Sequence, residues 1–238
     1  MIRGARAAEL SWIEVEARLA SGSVAILPIG AAAKEHGPHL PLATDWLTAE
    51  ALGRAVAERE DVLVFPSLGY GFYPAFVAYP GSTSVPEAAF EETCRALVAD
   101  LARAGARAIL VANTGISTIR PLERALEGTA ARALHVYRGA RYLAALASIA
   151  EQSRGGHADE AETSIMLHLH PEHVRMERAP RWTEEVRPGR WSRDDPTSAS
   201  YSPSGVHGDA TLATAEKGAR LFTAMLDDLA EALARLRS

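Results

Sequence analysis

Apolar residues recur along this chain in short runs that alternate with longer amphipathic stretches. Four runs of mostly aliphatic residues predict buried strands, at residues 24–29, 62–66, 108–112 and 133–137. Apolar positions spaced three or four apart predict helices at residues 46–59, 87–104, 121–127 and 141–151. Strands that alternate with helices are typical of α/β proteins. We therefore expect an α/β fold with a mostly parallel sheet flanked by helices on both faces.

The last third of the chain predicts two more helices around an irregular segment. The helices are expected at residues 160–168 and 214–236, and the segment 180–203 is rich in Pro, Arg and Trp. With 238 residues and 47% hydrophobic content, the chain is long enough for one sizeable core. We expect a single domain over residues 1–238.

A loop between the second strand and the next helix is unusually aromatic. Residues 69–83 contain several aromatic side chains among glycines and prolines: Tyr70, Phe72, Tyr73, Phe76 and Tyr79. Such a loop either walls a pocket or forms a subunit contact. The sequence favours neither over the other.

The densest group of reactive side chains directly follows the first predicted strand. Lys34, Glu35, His36 and His39 lie within six residues, and Asp45 follows them. Chemistry in α/β folds is found at strand ends, and imidazole with carboxylate from one short segment suits a divalent metal. In the alternative interpretation the histidines only form hydrogen bonds and Asp45 caps the next helix.

Three segments share their order and spacing with one known set of motifs. Residues 30–45 are similar to a Gly-Ser/Ala loop followed by Glu-x-His-Gly-x-His-Leu-Pro and Asp. Residues 155–164 are similar to His-Ala-Gly-Glu-x-Glu-Thr-Ser, and residues 204–218 to Gly-x-x-Gly-Asp followed by Ala-Thr-x-Glu-x-Gly. These segments resemble the creatininase family, also called creatinine amidohydrolases. The resemblance runs from about Leu10 to the end of the chain.

The chain departs from the family pattern at three positions that the resemblance assigns to metal ligands. Lys34-Glu35-His36-Gly37 stands in place of Glu-x-His-Gly, so Lys34 replaces a ligating Glu. Gly115 stands where the family has a ligating His, and Ser117 where some members have a Glu. By resemblance, the lost Glu and His belong to one of two metals. We therefore expect a one-metal site, with the Lys34 ammonium in the place of the second ion.

The resemblance implies a ligand set for the remaining metal. His36 and Asp45 match family ligands, and Glu162 is the expected third ligand, with Glu35 as the alternative. One His with two carboxylates and an open position for water suits a hydrolytic Zn²⁺ or Mn²⁺. In a purely structural interpretation Glu162 is a solvated helix residue.

Further roles follow from the same motifs. His157, after Gly155-Gly156, is the expected general acid or base, because an imidazole titrates near neutrality, and Asp159 or Glu160 is expected to orient it. Lys34 is expected to stabilise the oxyanion, and Glu35 is a further catalytic candidate. The expected substrate contacts come from two loops and the following helix start: His39, Thr114, Gly115, Ser117 and Asp159.

Composition limits the partners. The net charge of −5 and the pI near 5.9 argue against nucleic acid, and no long apolar run predicts a membrane span or a signal peptide. Cys94 is the only cysteine, so no internal disulfide is expected. We expect a cytoplasmic protein with a small-molecule substrate. The family resemblance implies a homo-oligomer, often a hexamer.

The sequence thus predicts a metal-dependent amidohydrolase that cleaves a C–N bond in a cyclic or small amide. Two alternatives stay open. One is a family member that has lost catalysis and binds a small molecule or a partner. The other is a lyase or isomerase that uses Lys34 as a base or Schiff-base amine.

Overall fold

A five-stranded parallel sheet forms the centre of the fold. The computed structural model describes residues 4–237. Five strands pair in the order β1-β3-β2-β4-β5, all parallel: β1 (Ala5–Arg6), β2 (Val24–Ile29), β3 (Val62–Val64), β4 (Ile109–Asn113) and β5 (Ala131–His135). A short antiparallel pair, β6 (Arg181–Trp182) and β7 (Gly208–Asp209), lies outside this sheet. The predicted parallel sheet is confirmed.

Helices cover both faces of the sheet, as predicted. One face packs against α1 (Trp12–Ala20), α3 (Glu87–Arg103) and α4 (Ile119–Leu126). The other face packs against α2 (Thr44–Arg59), α5 (Ala140–Ile149), α6 (Glu160–Leu169) and α7 (Ala215–Arg237). All six residues of β2 are buried because this central strand has a helical layer on each side.

The sequence missed one helix, shifted β5 and extended β3 by two residues, to 66 instead of Val64. α1 was not predicted, although Ser11 and Glu14 form a capping box in which each bonds the other's backbone N–H. β5 begins and ends two residues earlier than expected, and Val136–Arg138 form a 3₁₀ turn. That turn lies at the carboxyl edge of the sheet. Within residues 4–237, no helix is long and apolar enough to cross a membrane.

Candidate active site

The site lies at the carboxyl edge of the sheet, where the loops after β2 and β4 meet. Ile29 at the end of β2 pairs in register with Asn113 at the end of β4. Thr114 joins the two loops, because its N–H donates to the Ile29 carbonyl (3.0 Å) and its hydroxyl reaches the Ile29 and Asp45 carbonyls (3.1 and 3.2 Å). This bonding holds the first turn of α2, which carries Asp45.

Lys34 and Asp45 form a buried ion pair. Their Nζ and Oδ2 atoms are 2.7 Å apart, and the two side chains are 6% and 0% exposed. Burial alone lowers the pKa of Lys34, but the charges of Asp45, Glu162 and Glu35 outweigh it and raise this pKa above its usual value. Burial alone raises the pKa of Asp45, but Lys34 and then His36 hold it well below its usual range. Lys34 is therefore an ammonium and Asp45 a carboxylate.

His36 directs one ring nitrogen into the site. Its Nδ1 lies 2.9 Å from the Lys34 carbonyl oxygen, which can only accept, so Nδ1 carries the proton. When the ring is neutral, the lone pair of Nε2 then faces Asp45 Oδ1 at 3.2 Å. Two acceptors at this distance repel each other unless a cation or a proton lies beside them.

His157 is placed like His36, with one ring nitrogen hydrogen-bonded and the other directed at a carboxylate. Its Nε2 lies 3.0 Å from the Glu35 carbonyl and 3.2 Å from Glu35 Oε2, so the Nε2–H donates to Glu35. When the ring is neutral, the Nδ1 lone pair then faces Glu162 Oε2 at 3.7 Å. Burial lowers the pKa of His157, but Glu35 and Glu162 raise it overall, so these surroundings attract positive charge. Glu162 is fixed by the Ala158 N–H, which donates to its Oε2 (2.6 Å).

The donor atoms of His36, His157 and Glu162 suit one divalent ion. Their possible ligand atoms all lie within 4.8 Å of one another. Two imidazoles and one Glu are a known zinc donor set. Each histidine also donates its other N–H to a carbonyl or carboxylate, as metal-bound histidines do. Asp45, which the sequence assigned to the ligands, lies next to this group: its Oδ1 is 3.2 Å from His36 Nε2 and its Oδ2 is 2.7 Å from Lys34 Nζ. Its role as a metal ligand stays a prediction.

The charge balance supports a cation at this position. Three carboxylates, those of Glu35, Asp45 and Glu162, surround the single ammonium of Lys34. All four side chains are largely buried, where uncompensated charge is costly. These four side chains carry a net charge of −2, which a divalent ion would balance when His157 is neutral.

Comparison with known proteins places the chain in a family. The family model described as "Creatininase: Creatinine amidohydrolase" matches residues 8–233. The chain belongs to the creatininase family. The mycofactocin precursor peptide peptidase of Mycobacterium ulcerans is 33% identical over 231 residues, which cover 88% of this chain and 84% of that protein. The identification made from the sequence motifs is therefore confirmed.

Solved creatininases share the whole fold. A zinc–zinc form of a creatininase variant superposes with a TM-score of 0.83 at 26% identity, over 98% of both chains. A manganese form gives the same TM-score at 24% identity, also over 98% of both chains. The first of these solved creatininases is described with zinc and the second with manganese. The chain has the amidohydrolase fold of this family, as the sequence predicted.

The positions that depart from the creatininase pattern are closely packed. A Cβ atom at Gly115 would lie 2.5 Å from Thr118 Oγ1, and this hydroxyl also bonds Asn113 Oδ1 (2.9 Å). Thr118 thus fills space that a larger residue at 115 would need. Ser117 is half-buried and lines a surface cavity beyond the site. Substrate contacts by Thr114, Gly115 and Ser117 stay predictions, since the Thr114 hydroxyl already bonds the backbone.

Asp159 and Glu160 do not flank His157, although the sequence suggested that one of them orients it. Asp159 caps α6, accepting from the N–H groups of Ala161 and Glu162 (2.9 and 3.2 Å). Burial, and then Glu162, raises the pKa of Asp159 to about 6. Glu160 instead bonds Lys217 Nζ at 2.5 Å. The residue that orients His157 is Glu35, 122 positions away in sequence.

His39 lies beneath the site. Its Nε2 is 2.8 Å from Thr163 Oγ1 of α6, and the side chain is buried. Burial, followed by His36, lowers the pKa of His39 to about 4, so it is neutral at physiological pH. This bond links the motif loop to α6. Substrate contact by His39 stays a prediction.

Aromatic side chains close the site on the side of residues 69–83. The ring of Phe76 packs against His157 with centroids 4.3 Å apart and a tilt of 37°, and Lys34 Nζ lies 5.0 Å from the Phe76 ring centroid. Tyr73 also faces Lys34, at 5.9 Å. These contacts support the pocket-wall interpretation of the loop. Trp191, which sequence reasoning did not single out, lies edge-on to His157 at 5.5 Å.

A second group of possible ligands lies at the end of α6. His170, Glu172 and His173 have donor atoms within 4.8 Å of one another, but their side chains are partly or largely solvent-exposed. His168 packs against Phe222 instead. The exposed group must be silenced in any measurement of metal content at the buried site.

Proposed function

We propose that the chain hydrolyses an amide C–N bond with one divalent ion, zinc or manganese, held by His36, His157 and Glu162. The observation that supports this most directly is the convergence of two histidine lone pairs and Glu162 in a buried, negatively charged site. Such an ion would supply Lewis acidity, which polarises an amide carbonyl and lowers the pKa of water.

The chain's own residues support the reaction in three ways. Glu35 holds the Nε2–H of His157 and fixes its ring. The Asp45 carboxylate keeps the Lys34 ammonium in place, and this charge stabilises a developing oxyanion. Phe76, Tyr73 and Trp191 exclude water, which strengthens these electrostatic contacts.

This ligand set differs from the one that the sequence suggested. In that set Asp45 is a ligand and His157 transfers a proton. We favour His157 as ligand because its Nε2–H is committed to Glu35, which leaves Nδ1 as an acceptor directed at Glu162. The Asp45 carboxylate is paired with the Lys34 ammonium, which by resemblance stands in the place of a second ion. We therefore keep the proposal of one ion per chain.

The substrate class is an amide, and it includes peptides. The sequence favoured a cyclic or small amide, whereas the curated relative reported above is named a peptide peptidase. The open cavity beside Glu162, about 310 Å³ in volume, gives an extended amide access to the site. We therefore propose hydrolysis of a peptide or a small amide. A cytoplasmic location and a homo-oligomer, by resemblance a hexamer, stay predictions.

The two rival functions differ in what they require. A lyase or isomerase with Lys34 as base or Schiff-base amine needs a neutral amine, but Asp45 keeps Lys34 protonated. A binding protein without catalysis needs no metal ion. Metal content therefore separates our proposal from the second rival.

The test is metal content per chain, measured by elemental analysis after loading with zinc or manganese. Every variant carries His173→Ala to silence the exposed group. We expect about one ion per chain, lost in His157→Ala and in Glu162→Gln. The paired change Lys34→Met with Asp45→Asn removes both charges of the ion pair together and should keep the ion.

Other results would contradict parts of the proposal. Loss of the ion in the paired variant, with retention in His157→Ala, would restore Asp45 as ligand. A folded wild-type chain that binds no ion would favour the binding protein. Amine release from a small cyclic amide and from short peptides, with and without metal, then tests hydrolysis itself.

A further inference from the structure

A second cavity beside the β4–α4 loop carries positive charge that no mechanism described above uses. Its volume is about 350 Å³, and its charged lining consists of three arginines and one glutamate: Arg120, Arg124, Arg138 and Glu87. We call it the arginine cavity. The chain as a whole has a net charge of −5, so this excess of positive charge is local. Such a cavity favours an anionic ligand.

Two of the three guanidinium groups are available to a ligand. Arg124 is engaged, because it forms ion pairs with Glu87 and Glu91, and its Nε donates to Glu91 Oε1 at 2.8 Å. Arg120 and Arg138 are solvent-exposed, and within residues 4–237 neither side chain has a hydrogen-bond or ion-pair partner. A ligand in the cavity can therefore reach both without breaking a contact inside the protein.

The arginine cavity adjoins the cavity of about 310 Å³ beside Glu162. Ile116 lines both cavities and is 49% exposed. Tyr137 lines the cavity beside Glu162, and the next residue, Arg138, lines the arginine cavity. An extended peptide advances by about 3.3 Å per residue, so a few residues suffice to cross one side chain. One substrate can thus occupy both cavities.

The cavity beside Glu162 is less suited to an anionic group. Two carboxyl groups line it, those of Asp159 and Glu162. The hydroxyl of Tyr137 has no hydrogen-bond partner within residues 4–237, but its oxygen is buried and does not face the open space. One arginine, Arg154, also lines this cavity. A negative charge on a substrate is therefore better held in the arginine cavity, where two guanidinium groups are unpaired.

Ser117 and the start of α4 add to the attraction. The Ser117 hydroxyl lines the arginine cavity and makes no hydrogen bond within the described part of the chain. Ile119, Arg120 and Pro121 also line the cavity, and they are the first three residues of α4. The positive end of the helix dipole thus lies at the cavity. The sequence predicted a substrate contact for Ser117, and this cavity is the place for it.

We propose that the arginine cavity is a substrate subsite, in which Arg120 and Arg138 bind a carboxylate group of the amide or peptide. This inference rests on the proposed function. A carboxylate is planar and matches the paired N–H groups of a guanidinium. An acidic side chain and the C-terminus of a peptide both supply this group.

The test measures whether binding depends on the carboxylate. Stopped-flow fluorescence anisotropy with peptides that carry an N-terminal dye records binding to the zinc-loaded protein before turnover. The pair Ala-Ala-Glu-amide and Ala-Ala-Gln-amide tests an acidic side chain, and the pair Ala-Ala-Ala and Ala-Ala-Ala-amide tests the C-terminus. We expect the charged peptide of at least one pair to bind roughly tenfold more tightly than its neutral counterpart.

Variants assign this preference to the two arginines. Arg120→Gln with Arg138→Gln should reduce it to less than about twofold. The control, Arg95→Gln with Arg107→Gln, removes the same charge from exposed arginines outside the cavity and should keep the preference. The preference should also weaken as the salt concentration rises, because Arg120 and Arg138 are exposed. With His173→Ala in every protein, all variants should keep their metal content.

Three results would overturn the inference. In the first, the wild type binds the charged and neutral peptides of both pairs equally. In the second, the preference survives in the Arg120 and Arg138 variant and is lost in Arg154→Gln, which places the carboxylate beside Glu162. In the third, the preference falls equally in the variant and in the Arg95 and Arg107 control, which assigns it to the net charge of the protein.

The outcomes separate this inference from the proposed function. If no peptide is cleaved but the binding preference depends on Arg120 and Arg138, hydrolysis fails and the arginine cavity remains a carboxylate-binding site. If peptides are cleaved and kcat/KM is equal for the charged and neutral members of both pairs, hydrolysis stands and the subsite is wrong.

Discussion

The Lys34 ammonium lies 2.7 Å from the Asp45 carboxylate, and both groups are buried at the edge of the sheet. In the creatininase pattern a metal-ligating Glu is expected at the position of Lys34. In this chain the positive charge beside Asp45 comes from the Lys34 side chain. This pair accounts for the proposal of one metal ion per subunit.

Breaking this pair on one side should destabilise the protein. Lys34→Met leaves the Asp45 carboxylate buried without its main partner, which should lower the free energy of unfolding by about 3–5 kcal/mol. Adding Asp45→Asn to this variant should recover most of the loss. Urea denaturation of the two variants measures both effects. Equal stability of wild type and Lys34→Met would show that the ion pair does not form.

A second metal site should be recoverable. Lys34→Glu with Gly115→His returns two ligand types to their family positions, but a Cβ at 115 meets the Thr118 hydroxyl. We therefore add Thr118→Ala, with His173→Ala in every protein measured, and expect about two ions per chain, against about one without the three changes. Thr118→Ala alone is the control and should bind about one. A folded triple variant that binds no additional ion would refute the substitution account of Lys34.

Glu35 should tune metal affinity without being a ligand. Glu35→Gln replaces the carboxylate that accepts the His157 Nε2–H, so the zinc affinity should fall about 10- to 100-fold. Ser82→Ala is the matched control, because Ser82 accepts only the backbone N–H of Glu35. Competition with a chromophoric chelator, with His173→Ala in both variants, measures both affinities. A similar change in the two variants would assign the effect to the loop rather than to the carboxylate.

Acid should destabilise the fold through His39. Its folded pKa of about 4 lies below the unfolded value of about 6.5, so the unfolded chain binds more protons between these values. The stability contribution is complete above pH 6.5 and falls by up to about 3 kcal/mol as the pH drops to 4. His39→Gln should flatten this part of the stability profile, whereas His173→Gln, at an exposed position, should not. Parallel profiles for His39→Gln and wild type would contradict the assignment.

Local patterns in the sequence determined the sheet, most of the helices and the motifs. The bounds of β2 were predicted without error, and those of α2, α3 and α6 within two residues. Burial in a sheet or along one face of a helix makes apolar residues recur at short, fixed intervals in the sequence, so these elements can be predicted locally. The family resemblance also singled out Lys34, His36 and Glu162, which the structure brings to one edge of the sheet. The helix α1 was missed although its capping box is a local signal.

Contacts between distant segments were decided only by the tertiary structure. Glu35 and His157 are 122 residues apart, and the sequence suggested the nearer Asp159 or Glu160 as partner. Side-chain spacing along the chain says nothing about which loops meet at the sheet edge, and the register of Ile29 with Asn113 sets that meeting. The contact of Trp191 with His157 and the unbonded hydroxyl of Tyr137 were likewise decided only by the tertiary structure. Their neighbours are fixed by how the layers pack, which no local period encodes.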